Sequence, residues 1–301
     1  MTVAGDEQAR TVVVAAAAPL WASAEAAQEV EALHGSSYPA YRDWVGRLLA
    51  DQARLEGRLH TVALCGEPVR VRARAGPSLV TVELPAQPNG ATGYVGVMSA
   101  AHVGPDARRR ATHVVAAPGV RGRTAERDAA AVDLPAGTTV ELVSRGEDQK
   151  HAEVLLPSGA AARCPAAALR PLGTAVPAVE LLGIAAGFLG APYLWGGTEA
   201  AGIDCSGLVH LAARIGGRVV PRDAHYQWAA TCFDADWDDL DAGDLLFFGE
   251  SATLEGITHV GVYAGEGQML HAPEEGRRVT LEPIGARTRA RAVGFGRYPA
   301  R

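Results

Sequence analysis

Short apolar runs separated by turn residues make up the first hundred positions of the chain. The turn-like sequences Gly66-Glu67-Pro68 and Pro88-Asn89-Gly90 stand between runs rich in Val, Ala and Leu. Short runs bounded by Gly, Pro and Asn are typical of β-strands. This pattern predicts a small all-β unit over residues 1–112. Its strand-like runs are Thr11–Leu20, Leu64–Ala73, Leu79–Leu84 and Tyr94–Met98.

One helix is predicted inside this first unit. Between the first and second runs, over Tyr41–Leu59, apolar residues such as Trp44, Val45, Leu48 and Leu55 recur at helical spacing. Such spacing is the main sequence signal of an amphipathic helix. We therefore expect a helix inserted between two strands.

A second cycle of strand-like runs begins near His113 and repeats the order of the first. Pro171 and Gly173 interrupt any regular element at its end. The repetition predicts two related barrels in tandem, the second over residues 113–172. The runs of this cycle are Val114–Ala116, Gly137–Val143, Ala152–Pro157 and Cys164–Leu169.

The remaining residues, 173–301, have a different pattern. Two helices are predicted, over Val179–Leu189 and Ser206–Ile215, and Gly216-Gly217 ends the second. Helices followed by an antiparallel sheet define an α+β fold. The strand-like runs that follow the helices are Leu245–Phe248, His259–Tyr263 and Met269–His271.

Composition narrows the class of protein. Of 301 residues, 48% are hydrophobic and 21% charged, which is typical of a globular protein, and a net charge of −6 argues against a nucleic-acid partner. No basic segment precedes the apolar run Val12–Leu20, and no window approaches the roughly 20 apolar residues of a membrane span. We therefore expect a cytoplasmic protein without a membrane partner.

The four cysteines are too scattered for a disulfide framework or a zinc site. Three of them, Cys65, Cys164 and Cys232, are expected in the core. Cys205 differs because it stands at the predicted start of a helix, whose unpaired amides lower the pKa of a thiol.

A nucleophilic thiolate needs an imidazole base and a group that orients the base. His259 and His271 lie on predicted neighbouring strands joined by the turn Ala264–Gly267, so both can face Cys205. The alternative interpretation is a buried structural cysteine with two hydrogen-bonded structural histidines.

Six motifs stand in order within Val179–Tyr298: Ala191–Gly197, Asp204–Val209, Pro221–Ala224 with Gln227, Ala242–Phe248, His259–Tyr263 and His271-Ala272. Together they resemble the signatures of NlpC/P60 cysteine peptidases. The resemblance implies a papain-like catalytic domain over residues 173–301. The two upstream units resemble bacterial SH3-like domains, and the whole layout is similar to the dipeptidyl-peptidase VI-like branch, which cleaves between γ-D-glutamate and the diamino acid of peptidoglycan peptides.

The resemblance implies a role for each matching residue. Cys205 would be the nucleophile, His259 the general base and acid, and His271 the residue that orients His259. Tyr193 matches a position near the nucleophile and would assist the main-chain amides at the helix start in holding an oxyanion; a buried tyrosine with a satisfied hydroxyl is the alternative. Neither a metal nor another cofactor is implied.

The implied substrate is a short muropeptide with a free N-terminal L-Ala, hydrolysed during peptidoglycan recycling. A buried ammonium must be paired with acceptors, for which Asp223, Tyr94 and Glu56 are the candidates. Asp204 and Ser206 flank the nucleophile, where they would either bind the glutamyl carboxylate or main chain, or cap the helix.

Two other functions remain open at this point. The same thiol and histidines would also serve an amidase or acyltransferase acting on another substrate, because fold does not fix function. A non-catalytic cell-wall-binding protein with a relic peptidase domain is the third possibility.

Overall fold

The structure is a computed structural model that describes residues 10–30, 37–124, 130–274 and 276–298. The predicted absence of a basic leader rests largely on residues 1–9, outside the described residues. Within the described ranges, no helix has both the length and the apolar character needed to cross a membrane.

The first unit contains an antiparallel five-stranded sheet, in the order β3-β2-β6-β5-β4, and a separate β1-β7 pair. Two helices lie between its second and third strands. The elements are β1 (Thr11–Val13), β2 (Ala17–Trp21), α1 (Ala24–Glu29), α2 (Tyr38–Leu48), β3 (Leu59–Leu64), β4 (Arg70–Arg74), β5 (Leu79–Asn89), β6 (Thr92–Ser99) and β7 (Val103–Pro105).

The inserted helix is shorter than the predicted Tyr41–Leu59. It begins after Ser37, whose hydroxyl accepts a hydrogen bond from the amide of Ala40, and ends at Leu48. A short 3-10 turn at Gln52–Arg54 follows, and Gly57, with a φ of +67°, lies in the turn before Leu59 starts a strand. The predicted run Leu64–Ala73 is also wrong as one strand, because a turn at Gly66 divides it between β3 and β4.

The second unit is a seven-stranded arrangement in the order β10-β9-β13-β12-β11-β8-β14. Among the described strands of both upstream units the sheet order is open, so closed barrels are not confirmed and the SH3-like assignment stays a prediction. The strands are β8 (His113–Val115), β9 (Val120–Thr124), β10 (Ala131–Leu134), β11 (Thr139–Arg145), β12 (His151–Leu155), β13 (Ala161–Pro165) and β14 (Leu169–Pro171).

The third unit packs helices against an antiparallel sheet in the order β17-β22-β18-β19-β20-β21, which confirms mixed α and β structure. Its elements are α3 (Ala178–Ala186), β15 (Thr198–Glu199), β16 (Gly202–Ile203), α4 (Cys205–Ile215), α5 (Ala224–Thr231), β17 (Cys232–Phe233), β18 (Leu245–Gly249), β19 (Ile257–Gly265), β20 (Gln268–His271), β21 (Thr280–Pro283), α6 (Ala286–Arg289) and β22 (Ala292–Gly296).

One apolar core runs through all three units. It includes Trp44 of α2, Val114 of β8 and Leu211 of α4, all nearly inaccessible to solvent. Another face of α4, with Cys205, Val209 and Ala213, belongs instead to a second core that includes Val260 of β19. Of the three cysteines expected in the core, Cys65 and Cys164 are buried, whereas Cys232 is exposed.

Candidate active site

Helix α4 begins at Cys205, directly after Asp204. The Asp204 carboxylate caps the helix by accepting a hydrogen bond from the Gly207 amide at 2.6 Å. Cys205 is 8% exposed and lines two neighbouring cavities. The thiol is therefore held by a capped helix and is accessible from a groove.

Asp204 also forms a buried ion pair that the sequence did not reveal. Arg222 donates to the Asp204 carboxylate at 2.7 and 3.0 Å, to the Ser206 hydroxyl at 3.0 Å and to the Thr61 hydroxyl at 2.8 Å. The interactions of Asp204 are those of the helix-capping alternative. A role for Asp204 or Ser206 in binding substrate stays a prediction.

The two predicted histidines face each other on adjacent strands. β19 and β20 are antiparallel, as expected, and the Nε2 atom of His259 lies 2.8 Å from the Nδ1 atom of His271. The Nε2 atom of His271 lies 3.0 Å from the Oε1 atom of Glu282, on the next strand, β21. A hydrogen-bonded relay therefore crosses three neighbouring strands.

Glu282 and its partner Arg277 were not predicted as site residues. Arg277 donates to the second carboxylate oxygen of Glu282 at 2.9 Å. The sequence signal is weak: Glu282 alternates with exposed residues in a short strand, and only the pairing of β21 with β20 brings it to His271.

Burial dominates the electrostatics of the thiol and the imidazole. It raises the pKa of Cys205 to about 12, with a further contribution from Asp204, against the expectation of a lowered pKa. Burial, His271 and Arg291 lower the pKa of His259 to about 3. Burial therefore favours the neutral form of both the thiol and the imidazole.

The groove has two parts that meet at the thiol. The histidine-side cavity, about 510 Å³, is lined by Cys205, His259 and His271, and the Asp223-side cavity, about 540 Å³, is lined by Cys205, Tyr94 and Asp223. An extended peptide can therefore lie across the thiol. The residues that line both cavities are Glu56, Tyr193, Trp195, Cys205 and Thr258.

Residues of two units meet in the lining of the Asp223-side cavity. The Tyr94 hydroxyl, from β6, donates to the Asp223 carboxylate at 2.9 Å, and the His60 ring lies 5.1 Å from the Tyr94 ring. Burial and the Asp223 charge raise the pKa of Tyr94, which keeps its hydroxyl protonated. Tyr94 and Asp223 thus meet, while Glu56 is an exposed residue at the junction of the cavities.

Comparison with known proteins defines the class. Residues 190–294 match the NlpC/P60 family, and this part of the chain is an NlpC/P60 domain. The family consists of cysteine peptidases, so the protein is a hydrolase of that class.

The extent of the similarity differs between individual relatives. It is 29% identical over 280 residues to the gamma-D-glutamyl-L-lysine dipeptidyl-peptidase of Bacillus subtilis, covering 89% of this chain and 92% of the relative. A protein of the same name from Bacillus cereus is 38% identical over 97 residues, only 29% of its length. The crystal structure of an NlpC/P60 family protein from Bacillus cereus superposes with a TM-score of 0.84 at 25% identity, covering 96% of this chain and 99% of that structure.

Proposed function

We propose that the protein is a dipeptidyl-peptidase that hydrolyses the γ-D-glutamyl–diamino acid bond of short peptidoglycan peptides with a free N-terminal L-Ala. The contact between Tyr94 and Asp223 supports this proposal, because it holds a carboxylate in the lining of the cavity that also contains Cys205. The similarity to gamma-D-glutamyl-L-lysine dipeptidyl-peptidases along most of the chain also supports it.

The Asp223-side cavity suits a free ammonium. Burying an unpaired charge is costly, and Asp223 supplies the opposite charge while Tyr94 fixes the carboxylate by a hydrogen bond. An acylated amine would bring a bulkier, uncharged group to the same place. The L-Ala amine would therefore lie against Asp223 and the γ-carbonyl of D-Glu against Cys205.

His259 takes the thiol proton of Cys205, and the sulfur attacks the γ-carbonyl carbon of D-Glu. Main-chain amides at the start of α4, with Tyr193 nearby, stabilise the oxyanion. His259 then donates its proton to the amine of the leaving diamino acid, which leaves a thioester. Water, deprotonated by His259, hydrolyses the thioester and releases L-Ala-D-Glu, while His271 keeps His259 in orientation.

The proposal also covers the domain organisation and the cellular role of the enzyme. The two upstream units, residues 1–112 and 113–172, would be SH3-like domains, the first of which forms one wall of the site of the catalytic domain, residues 173–301. Peptides with a free L-Ala amine arise when peptidoglycan fragments are broken down, so the enzyme would act in recycling in the cytoplasm, without a metal or other cofactor.

The ammonium subsite is tested with L-Ala-γ-D-Glu-L-Lys and its N-acetylated form. We expect kcat/KM for the free amine to exceed that for the acetylated peptide by about 100-fold or more, and Asp223→Asn to lower the free-amine value about 10- to 100-fold, because hydrogen bonds to charged groups contribute about 1.5–3 kcal/mol. Asp234→Asn, an exposed carboxylate remote from the cavities, is the matched control. Equal rates on both peptides would contradict the ammonium subsite and favour another amide substrate.

A further inference from the structure

Glu282 stands at the outer end of the hydrogen-bonded relay: it contacts His271, and His271 contacts His259. We propose that Glu282, held by Arg277, is a positioning residue that fixes which nitrogen of each histidine carries the proton. The inference rests on the proposed function, because it assigns the proton acceptor that Cys205 requires.

The argument follows the hydrogen bonds inward. An ionised carboxylate only accepts, so the Nε2 atom of His271 must carry a proton to donate to Glu282 at 3.0 Å. A neutral imidazole carries one proton, so the Nδ1 atom of His271 accepts from the Nε2 atom of His259 at 2.8 Å. The Nδ1 atom of His259 is then unprotonated and is the nitrogen available to the Cys205 thiol.

Arg277 makes the carboxylate suitable for this task. It donates to one oxygen of Glu282 at 2.9 Å while the other oxygen faces His271, so the carboxylate cannot rotate without losing both contacts. Partial burial acts to raise the pKa of Glu282, but hydrogen bonds from Arg277 and His271 outweigh it and lower that pKa. Glu282 is consequently ionised at neutral pH.

The charge of Glu282 also favours the proton transfer itself. When His259 takes the thiol proton it becomes a cation, and the relay connects that cation to a carboxylate. The other charged groups that act on the pair are Arg277 and Glu274 on His271, and Arg291 on His259. Among these groups, Glu282 is the carboxylate hydrogen-bonded to an imidazole.

Glu282→Gln tests the inference because it keeps the shape but removes the charge and the obligatory acceptor. A glutamine amide can donate to the Nε2 atom of His271, which reverses both tautomers and puts a proton on the Nδ1 atom of His259. We expect kcat/KM for L-Ala-γ-D-Glu-L-Lys to fall about 10- to 100-fold, mainly through kcat. The pH at which Cys205 reacts half-maximally with iodoacetamide should rise.

Two further variants and one spectroscopic measurement keep the test decisive. Asp234→Asn, which removes an exposed carboxylate that lines neither cavity, should change kcat/KM by less than about twofold. Arg277→Gln should also lower kcat/KM, but by less than Glu282→Gln does. In 15N spectra of the wild-type protein with labelled histidine, His259 and His271 should both be protonated on Nε2, and in Glu282→Gln this pattern should be lost.

Failure of the proposed relay can be distinguished from failure of the proposed function. If the wild type cleaves the tripeptide but Glu282→Gln retains its kcat and its histidine tautomers, the relay is wrong and the proposed function stands. If the wild type leaves the tripeptide intact while the spectra show the expected tautomers, the proposed substrate is wrong and the relay stands. Wild-type histidines protonated on Nδ1 would overturn the relay directly.

Discussion

Cys205 is subject to two opposing electrostatic influences. Main-chain amides of Val260 and Ser206 lower the pKa of its thiol, as expected at a helix start, whereas burial and the Asp204 charge raise that pKa and prevail. In the proposed mechanism the thiolate therefore forms together with the His259 cation, since each charge compensates the other. The sequence indicated the helix start but not the depth of burial, which is why the predicted direction was wrong.

The sequence also revealed only some of the residues around the thiol. Cys205, His259 and His271 stand in short motifs with chemically distinctive neighbours, so they could be predicted, although their catalytic roles stay predictions. Glu282 and Arg222 could not be found in this way, because each acts through a partner 11 or 18 residues away in the chain that the fold brings close.

Helices α3 and α4 each contain a glycine, but the two glycines have different surroundings. A Cβ atom at Gly207 of α4 would lie 2.1 Å from the Gly197 carbonyl oxygen, whereas at Gly183 of α3 it would meet nothing within 4 Å. Gly207 thus permits α4 to start against the preceding loop.

We expect Gly207→Ala to destabilise the protein by about 1–3 kcal/mol, because backbone must move to admit a methyl group. Gly183→Ala, its matched control, should stabilise the protein by about 0.5–1 kcal/mol, because alanine favours a helix. Urea unfolding of both variants measures these changes. Destabilisation of the same size in both variants would contradict the close packing at the start of α4.

Strands with clear runs of apolar residues were located correctly from the sequence, whereas elements without such runs were missed. Strands β18, β19 and β20 were located to within about two residues at each end, because their buried runs end at glycine turns. Strand β9, Val120–Thr124, was missed because one of its two buried positions is a glycine, which leaves Val120 as its one apolar side chain. Helix α5 was missed because polar and aromatic residues leave its apolar positions without clear periodicity.

Across the whole molecule, the first unit is joined to the catalytic domain by more than apolar packing. The Tyr38 hydroxyl, in α2, donates to the carboxylate of Glu199, in β15, at 2.6 Å. Glu199 is fully buried, and burial raises its pKa to about 7 despite this hydrogen bond. The same unit supplies Tyr94 to the groove, so the Tyr38–Glu199 contact helps to hold Tyr94 in place beside the catalytic domain.

The Glu199 carboxyl makes stability depend on pH. Its folded-state pKa lies above the ordinary value of 4.5, so its favourable contribution is complete below pH 4.5 and is lost as pH rises through about 7. Between pH 5 and pH 8, the Tm of the wild type should therefore fall by several degrees relative to that of Glu199→Gln, in which no carboxyl titrates. Parallel Tm curves for the two proteins would show that Glu199 is ionised in the folded state throughout.

Hydrolysis by the wild type and by Cys205→Ala tests the central claim most directly. Each purified protein is incubated with L-Ala-γ-D-Glu-diaminopimelate, and release of L-Ala-D-Glu is followed by mass spectrometry. We expect the wild type to release the dipeptide and Cys205→Ala to do so at least about 10³-fold more slowly, as for loss of a nucleophile. Release at the wild-type rate by Cys205→Ala, or none by the wild type, would contradict catalysis by Cys205 at this bond.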